Sequence, residues 1–145
     1  MPEQPELREY LVLSRGQWDP TASPEEVQAA IDAFYIWYEQ GLAAGLLKPG
    51  HRLAKEGKVV SKHAVTDGPF AETKEVLGGY WLIVARSLDE AVAAAAQNPC
   101  LAYGLTLEVR PVELARANVL VPANETPAQW TAVRSTLSSS GREEA

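Results

Sequence analysis

The chain has 145 residues, 46% of them hydrophobic and 22% charged, and its 19 acidic residues outnumber 13 lysines and arginines to give a net charge of −6. A domain of this length buries roughly 68–70% of the surface its unfolded chain exposes, so a core can form without staples, and a lone cysteine, Cys100, excludes an internal disulfide or a cysteine zinc cluster. The acidic balance without a basic stripe argues against direct nucleic-acid binding. No stretch approaches the ~18 apolar residues of a membrane span, and MPEQPELREY lacks the basic region and apolar core of a signal peptide, so no membrane association and a cytoplasmic location are expected.

Taken in chain order, REYLVLSR over Arg8 to Arg15 alternates as a first strand. Ser23-Pro24-Glu25-Glu26 then combines a serine N-cap, a proline at the first helical position and a glutamate three residues after the cap. The helix it opens carries Val27, Ala30, Ile31, Phe34, Tyr38 and Leu42 on one stripe, and Gly45 is its expected terminator. Tyr35 and Trp37 fall off that stripe, which marks them for a pocket wall or a subunit contact, or leaves them as scattered exposed aromatics.

Lys48-Pro49-Gly50 reads as a turn, followed by a short strand near His51 to Ala54, a hairpin connection at Glu56-Gly57 and a strand near Lys58 to Val65. Gly79 to Ala85 (GYWLIVA) is an almost continuous apolar run, the mark of a central strand covered on both faces. Ser87-Leu88-Asp89-Glu90 repeats the capping pattern and opens a second helix with Leu88, Ala91, Val92, Ala95 and Ala96 on its stripe, ended by Asn98-Pro99. Thr106 to Val112 is the last strand, with Leu107 and Val109 on one face.

Two βα units in one small domain predict an α+β fold: a ferredoxin-like antiparallel sheet with both helices on one face. The apolar second face of such a sheet predicts a homodimer that covers it. The domain is expected to span residues 1–121. Residues 122–145 turn polar and serine-rich and read as a mobile tail, in which Trp130 is either an anchor or incidental.

The segment between the hairpin and the central strand holds the chemistry. TDGPFAETKEVLGGYWLI, together with the capped helices around it and EVRPV near the end, resembles the YCII-related proteins and specifically their DGPF-domain branch, over roughly Arg8 to Val112. That resemblance implies a dimeric ferredoxin-like α/β barrel in small bacterial proteins of largely undetermined activity. It also implies a His–Asp pair as a proposed active site in the wider family, and a frequent association of the DGPF branch with sigma-factor regulatory systems.

On the residues themselves, Asp67 has two roles open to it. A turn aspartate usually accepts from the N–H two residues on, but Pro69 has none to give, so the carboxylate either caps the following turn through Phe70 or stays free for a histidine or a ligand proton. His51 and His63 are the only histidines available as partners. Glu72, Lys74 and Glu75 read as a solvated run, and no metal is expected from so few oxygen ligands. Gly78-Gly79 enters a strand instead of a helix, which removes the phosphate-loop reading and leaves close backbone approach or a bulge. Cys100, with no neighbouring cation, reads as an inert thiol. No cofactor is predicted. Two functions follow: a dimeric module binding a small ligand or partner, with Tyr35, Trp37, Phe70, Tyr80 and Trp81 as pocket residues, or a small enzyme using Asp67 with His51 or His63 for proton transfer.

Overall fold

The computed structural model describes residues 6–67 and 76–130. Six strands, β1 (Arg8–Arg15), β2 (Leu47–Arg52), β3 (Lys58–Val60), β4 (Val65–Asp67), β5 (Leu77–Ala85) and β6 (Thr106–Pro111), alternate with two helices, α1 (Pro24–Ala43) and α2 (Leu88–Ala95). The chain divides into two units after Val112. In the first, four strands form one antiparallel sheet in the order β2-β5-β1-β6, and β3 pairs with β4 in a separate hairpin. A helix follows β1 and another follows β5, so the order is consistent with the expected ferredoxin-like arrangement. The sheet is open, with β2 and β6 at its edges.

Local chemistry explains the helix bounds. Ser23 Oγ accepts from the Glu26 N–H at 3.1 Å while the Glu26 carboxylate accepts from the Ser23 N–H at 3.4 Å, a reciprocal capping box. A cap of this kind contributes about 1 kcal/mol. Gly45 follows the helix at φ +76°, the left-handed conformation that glycine supplies without strain. Ser87 caps α2 in one direction, its Oγ accepting from the Glu90 N–H at 3.1 Å.

Strand alternation decides the layers. In β5 the buried positions are Gly79, Trp81, Ile83 and Ala85, and their cross-strand partners on β1 include Tyr10 and Val12. These residues form the core with Leu47, Ala91 and Ala95, against which Phe34, Trp37, Tyr38 and Leu42 of α1 pack, so both helices cover one face. Fully burying a side chain such as Ile83 contributes roughly 1.5–3 kcal/mol. Of the α2 stripe only Ala91 and Ala95 are buried, whereas Leu88 and Val92 remain exposed.

Three expectations need correction. Lys48-Pro49-Gly50 is no turn: the segment lies inside β2, which skips register between Lys48 and His51 as it runs along β5. Pro49 has no ladder N–H to lose, and the bulge absorbs both residues. The hairpin turn falls at residues 61–64, with β3 and β4 in the register Lys58↔Asp67, Val59↔Thr66, Val60↔Val65, and Glu56-Gly57 only leads into it. The Ser61 N–H donates to the Ala64 carbonyl at 2.8 Å, closing that turn locally. Finally, β5 is not covered on both faces: Tyr80, Leu82 and Val84 are only half-buried.

The second unit, described from Glu113 to Trp130, contains a short 3-10 turn over Ala128–Trp130 and turns closed by side chains. Asn118 Oδ1 accepts from the Leu120 N–H at 2.8 Å and Thr126 Oγ1 from the Ala123 N–H at 2.9 Å. Trp130 is 46% exposed. Among the described residues, no helix is long and apolar enough to cross a membrane.

Candidate functional site

A cavity of about 510 Å³ lies within the first unit, where α1, the ends of β1, β2 and β5, and the segment after α2 meet. Its volume falls in the range of small-molecule sites. Helical spacing builds its wall: Phe34, Tyr35 and Tyr38 sit within one turn of α1, and Phe34 meets Trp81 edge-on at 5.2 Å between ring centroids. Phe34 also contacts Tyr35 at 5.3 Å and stacks on Tyr38 at 5.7 Å, so the aromatic wall is one continuous surface.

Two glycines bring β2 close to this wall. An added Cβ on Gly50 would stand 1.8 Å from the Tyr80 carbonyl oxygen, and one on Gly79 would stand 2.8 Å from the His51 carbonyl oxygen. The Gly50 N–H, freed from the ladder by the bulge, donates to Tyr38 Oη at 3.0 Å. His51 and Arg52, next along β2, both line the cavity. His51 lies opposite Tyr80, with ring centroids 6.1 Å apart.

The opposite side is set by the segment after α2. Asn98 caps a 3-10 turn over Pro99–Tyr103, its Oδ1 accepting from the Cys100 N–H at 2.8 Å. Gly104 closes that turn at φ +106°, where an added Cβ would meet the Gln17 carbonyl at 2.6 Å, and the Asp19 N–H donates to the Tyr103 carbonyl at 2.8 Å. These contacts hold the loop bearing Gln17 and Trp18 at the cavity. In the same loop the Thr21 hydroxyl, then its backbone N–H, donates to the Asp19 carboxylate and lowers its pKa from the ordinary value. Cys100 is 4% exposed, and burial raises its thiol pKa, so at neutral pH it stays protonated and is no nucleophile.

The residues singled out from sequence divide as follows. Tyr35, Tyr80, Trp81 and His51 line this cavity. Trp37 lines a different one of about 200 Å³ on the other side of α1, where its Nε1–H donates to Gln97 Oε1 at 3.1 Å. His63 is exposed in the 61–64 turn of the hairpin, and Asp67 ends β4 with its backbone opposite Lys58. Phe70, with Gly68, Pro69, Glu72, Lys74 and Glu75, lies outside the described residues. Sequence reasoning missed Tyr38, Arg52 and Asn98 as site residues. Asn98 had a local signal in its position before Pro99 as a cap, and Tyr38 in its place on the α1 stripe; Arg52 reaches the cavity through strand register. Among the described residues, no three histidine, cysteine or acidic side chains converge as metal ligands.

A family model for the YCII-related domain matches residues 10–115, from Tyr10 in β1 to just beyond β6. The chain belongs to the YCII-related family. It is similar to an uncharacterised protein of Rhizobium meliloti, 47% identical over 117 residues that cover 72% of this chain and 92% of the relative. As a YCII-related protein it carries the whole cavity inside the matched span, since the lining residues run from Ser14 to Leu105.

Proposed function

We propose that this YCII-related protein, which we assign to the DGPF branch on its Asp67-Gly68-Pro69-Phe70 sequence, is a homodimeric module that binds a small ligand in the aromatic cavity. The observation that supports this reading is the cavity itself: about 510 Å³ walled by Phe34, Tyr35, Tyr38 and Trp81, with a few polar groups among them. The second copy is assigned to the open sheet face, where Leu11, Leu13, Tyr80, Leu82 and Val84 are half-buried and sit side by side in register. Two such sheets face to face make the dimeric barrel that the family resemblance implies. A regulatory partner from a sigma-factor system belongs to the same reading, as the link by which ligand occupancy reaches the cell.

Trp18 and Trp81 both line the cavity, so occupancy changes intrinsic fluorescence. A small-molecule library is expected to yield compounds that shift emission and raise the melting temperature by mass action. Tyr35 is 39% exposed, so Tyr35→Ala leaves the fold nearly as stable and weakens those compounds about tenfold. Hits that bind Tyr35→Ala as tightly as the parent chain, or a library without hits, would remove the cavity as the site.

One observation favours a second reading: His51 borders the same cavity from β2, its ring meeting Tyr80 at 6.1 Å on the uncovered side of the sheet. Proton transfer by Asp67 with His51, or with His63, would then act on the bound molecule. Asp67→Asn keeps a capping oxygen but removes the carboxylate. A catalytic aspartate predicts lost turnover at an unchanged melting temperature, whereas a capping one predicts that only Asp67→Ala has an effect, about 1 kcal/mol of stability.

A further inference from the structure

We infer that the ligand of the cavity is a small organic carboxylate with an aromatic or similarly flat apolar body, an inference that rests on the cavity being a ligand site. Its basis is the polarity of the groups left over after the protein has satisfied itself. Asn98 is 6% exposed and its Oδ1 is used by the Cys100 N–H, so what remains is Nδ2, which has no acceptor among the described residues. Tyr38 Oη accepts from the Gly50 N–H, and its own proton likewise has no acceptor among the described residues. Trp81 is 6% exposed, and its Nε1–H, a donor by nature, is buried without a partner among the described residues.

Buried polar groups are nearly always hydrogen-bonded, and an unpartnered one costs roughly as much as a lost hydrogen bond. Trp81 Nε1 is fully buried in this way, and together with Asn98 Nδ2 and the Tyr38 hydroxyl, on residues that line the same cavity, it calls for a molecule that brings acceptor oxygens. The charge at the cavity has the matching sign. Arg52 lies opposite Gly79, two residues from Trp81 and so on the same sheet face, and it lines the cavity while remaining exposed. It has no carboxylate partner among the described residues, and no aspartate or glutamate among them lines the cavity. A guanidinium at the cavity mouth pairs bidentately with a carboxylate, which distinguishes an anion from a neutral acceptor. Phe34, Tyr35 and Trp81 then supply the surface for a flat apolar body.

The test uses the full chain, isothermal titration calorimetry and three probes of one shape: 3-phenylpropionate, 3-phenylpropionamide and 3-phenylpropylamine. The carboxylate is expected to bind at least tenfold tighter than the amide, with the amine weakest. In Arg52→Gln, at an exposed position that keeps the fold, carboxylate affinity should fall to that of the amide while the amide is unaffected. Added salt should weaken the carboxylate more than the amide. Amide binding as tight as carboxylate binding, or Arg52→Gln without effect on the carboxylate, overturns the inference and leaves the cavity a site for a different ligand. If none of the three probes binds, the carboxylate inference fails, while the library screen on the parent chain still decides separately whether the cavity binds anything.

Discussion

Gly50→Ala is expected to destabilise the protein more than any conservative change on its surface, because the added methyl meets backbone and not a side chain that could swing away. The new Cβ would lie 1.8 Å from the Tyr80 carbonyl oxygen, 2.5 Å from its carbonyl carbon and 2.7 Å from Trp81 Cα. Separations so far below contact distance leave only one remedy, displacement of the edge strand β2 from β5. The cost should exceed the ~1–3 kcal/mol of ordinary overpacking and approach or pass ~4 kcal/mol. The Gly50 N–H to Tyr38 Oη bond breaks with it, and His51 and Arg52 leave the cavity, so ligand affinity should collapse even where a folded fraction survives. Gly57→Ala is the control: nothing lies within 4 Å of its added Cβ, and urea midpoints should stay within ~0.5 kcal/mol of the parent. A Gly50→Ala protein that melts with the parent would show that β2 does not press on β5 as described.

In the proposed dimer, Leu82→Glu is expected to separate the two copies without unfolding them. Leu82 sits mid-strand on the face of the sheet that no helix covers, opposite Leu11 on one side and Lys48 on the other, with Leu13 and Tyr80 paired next along. Charges border this apolar strip: Lys48 pairs with Glu9 at 2.5 Å, and Arg15 with Glu108 at 2.7 Å. An apolar centre with a charged border is the anatomy of an interface. In a two-fold dimer the substitution enters twice, and two buried carboxylates at ~2 kcal/mol or more each weaken association about a thousandfold. In the monomer the new carboxylate is half in water beside Lys48, so the far-ultraviolet circular dichroism should be unchanged. Sedimentation of the parent chain as a monomer at micromolar concentration would remove the dimer reading, and Leu82→Glu sedimenting as a dimer would move the interface elsewhere.

The helix starts were legible because their causes lie within four residues. The Ser23 and Ser87 caps and the Pro24 start are contacts between near neighbours in the chain, as is the left-handed Gly45 that closes the first helix. The bounds of β1 were legible too, since Arg8 to Arg15 alternates without interruption. The β2 segment was not: Lys48-Pro49-Gly50 has turn composition, and only pairing with β5 makes it a strand whose irregularity is a bulge. The hairpin position was lost for the same reason, since the glycine at position 57 is a strong local signal while the pairing of Val60 with Val65 is not.

The site divides along the same line. By itself the sequence determined the α+β class, the helix that presents Phe34 and Tyr38 on one stripe, the aromatic character of β5, and the family to which residues 10–115 belong. Tertiary structure alone decided which aromatics share a cavity. Tyr35 and Trp37 stand two residues apart in sequence, about 200° apart around a helix, so one faces the cavity and the other packs toward Gln97. It also decided that Asn98, Tyr38 and Trp81 line one space beside Arg52. Each hydrogen-bond balance depends on a partner brought in by folding, and composition or spacing along the chain holds no record of it.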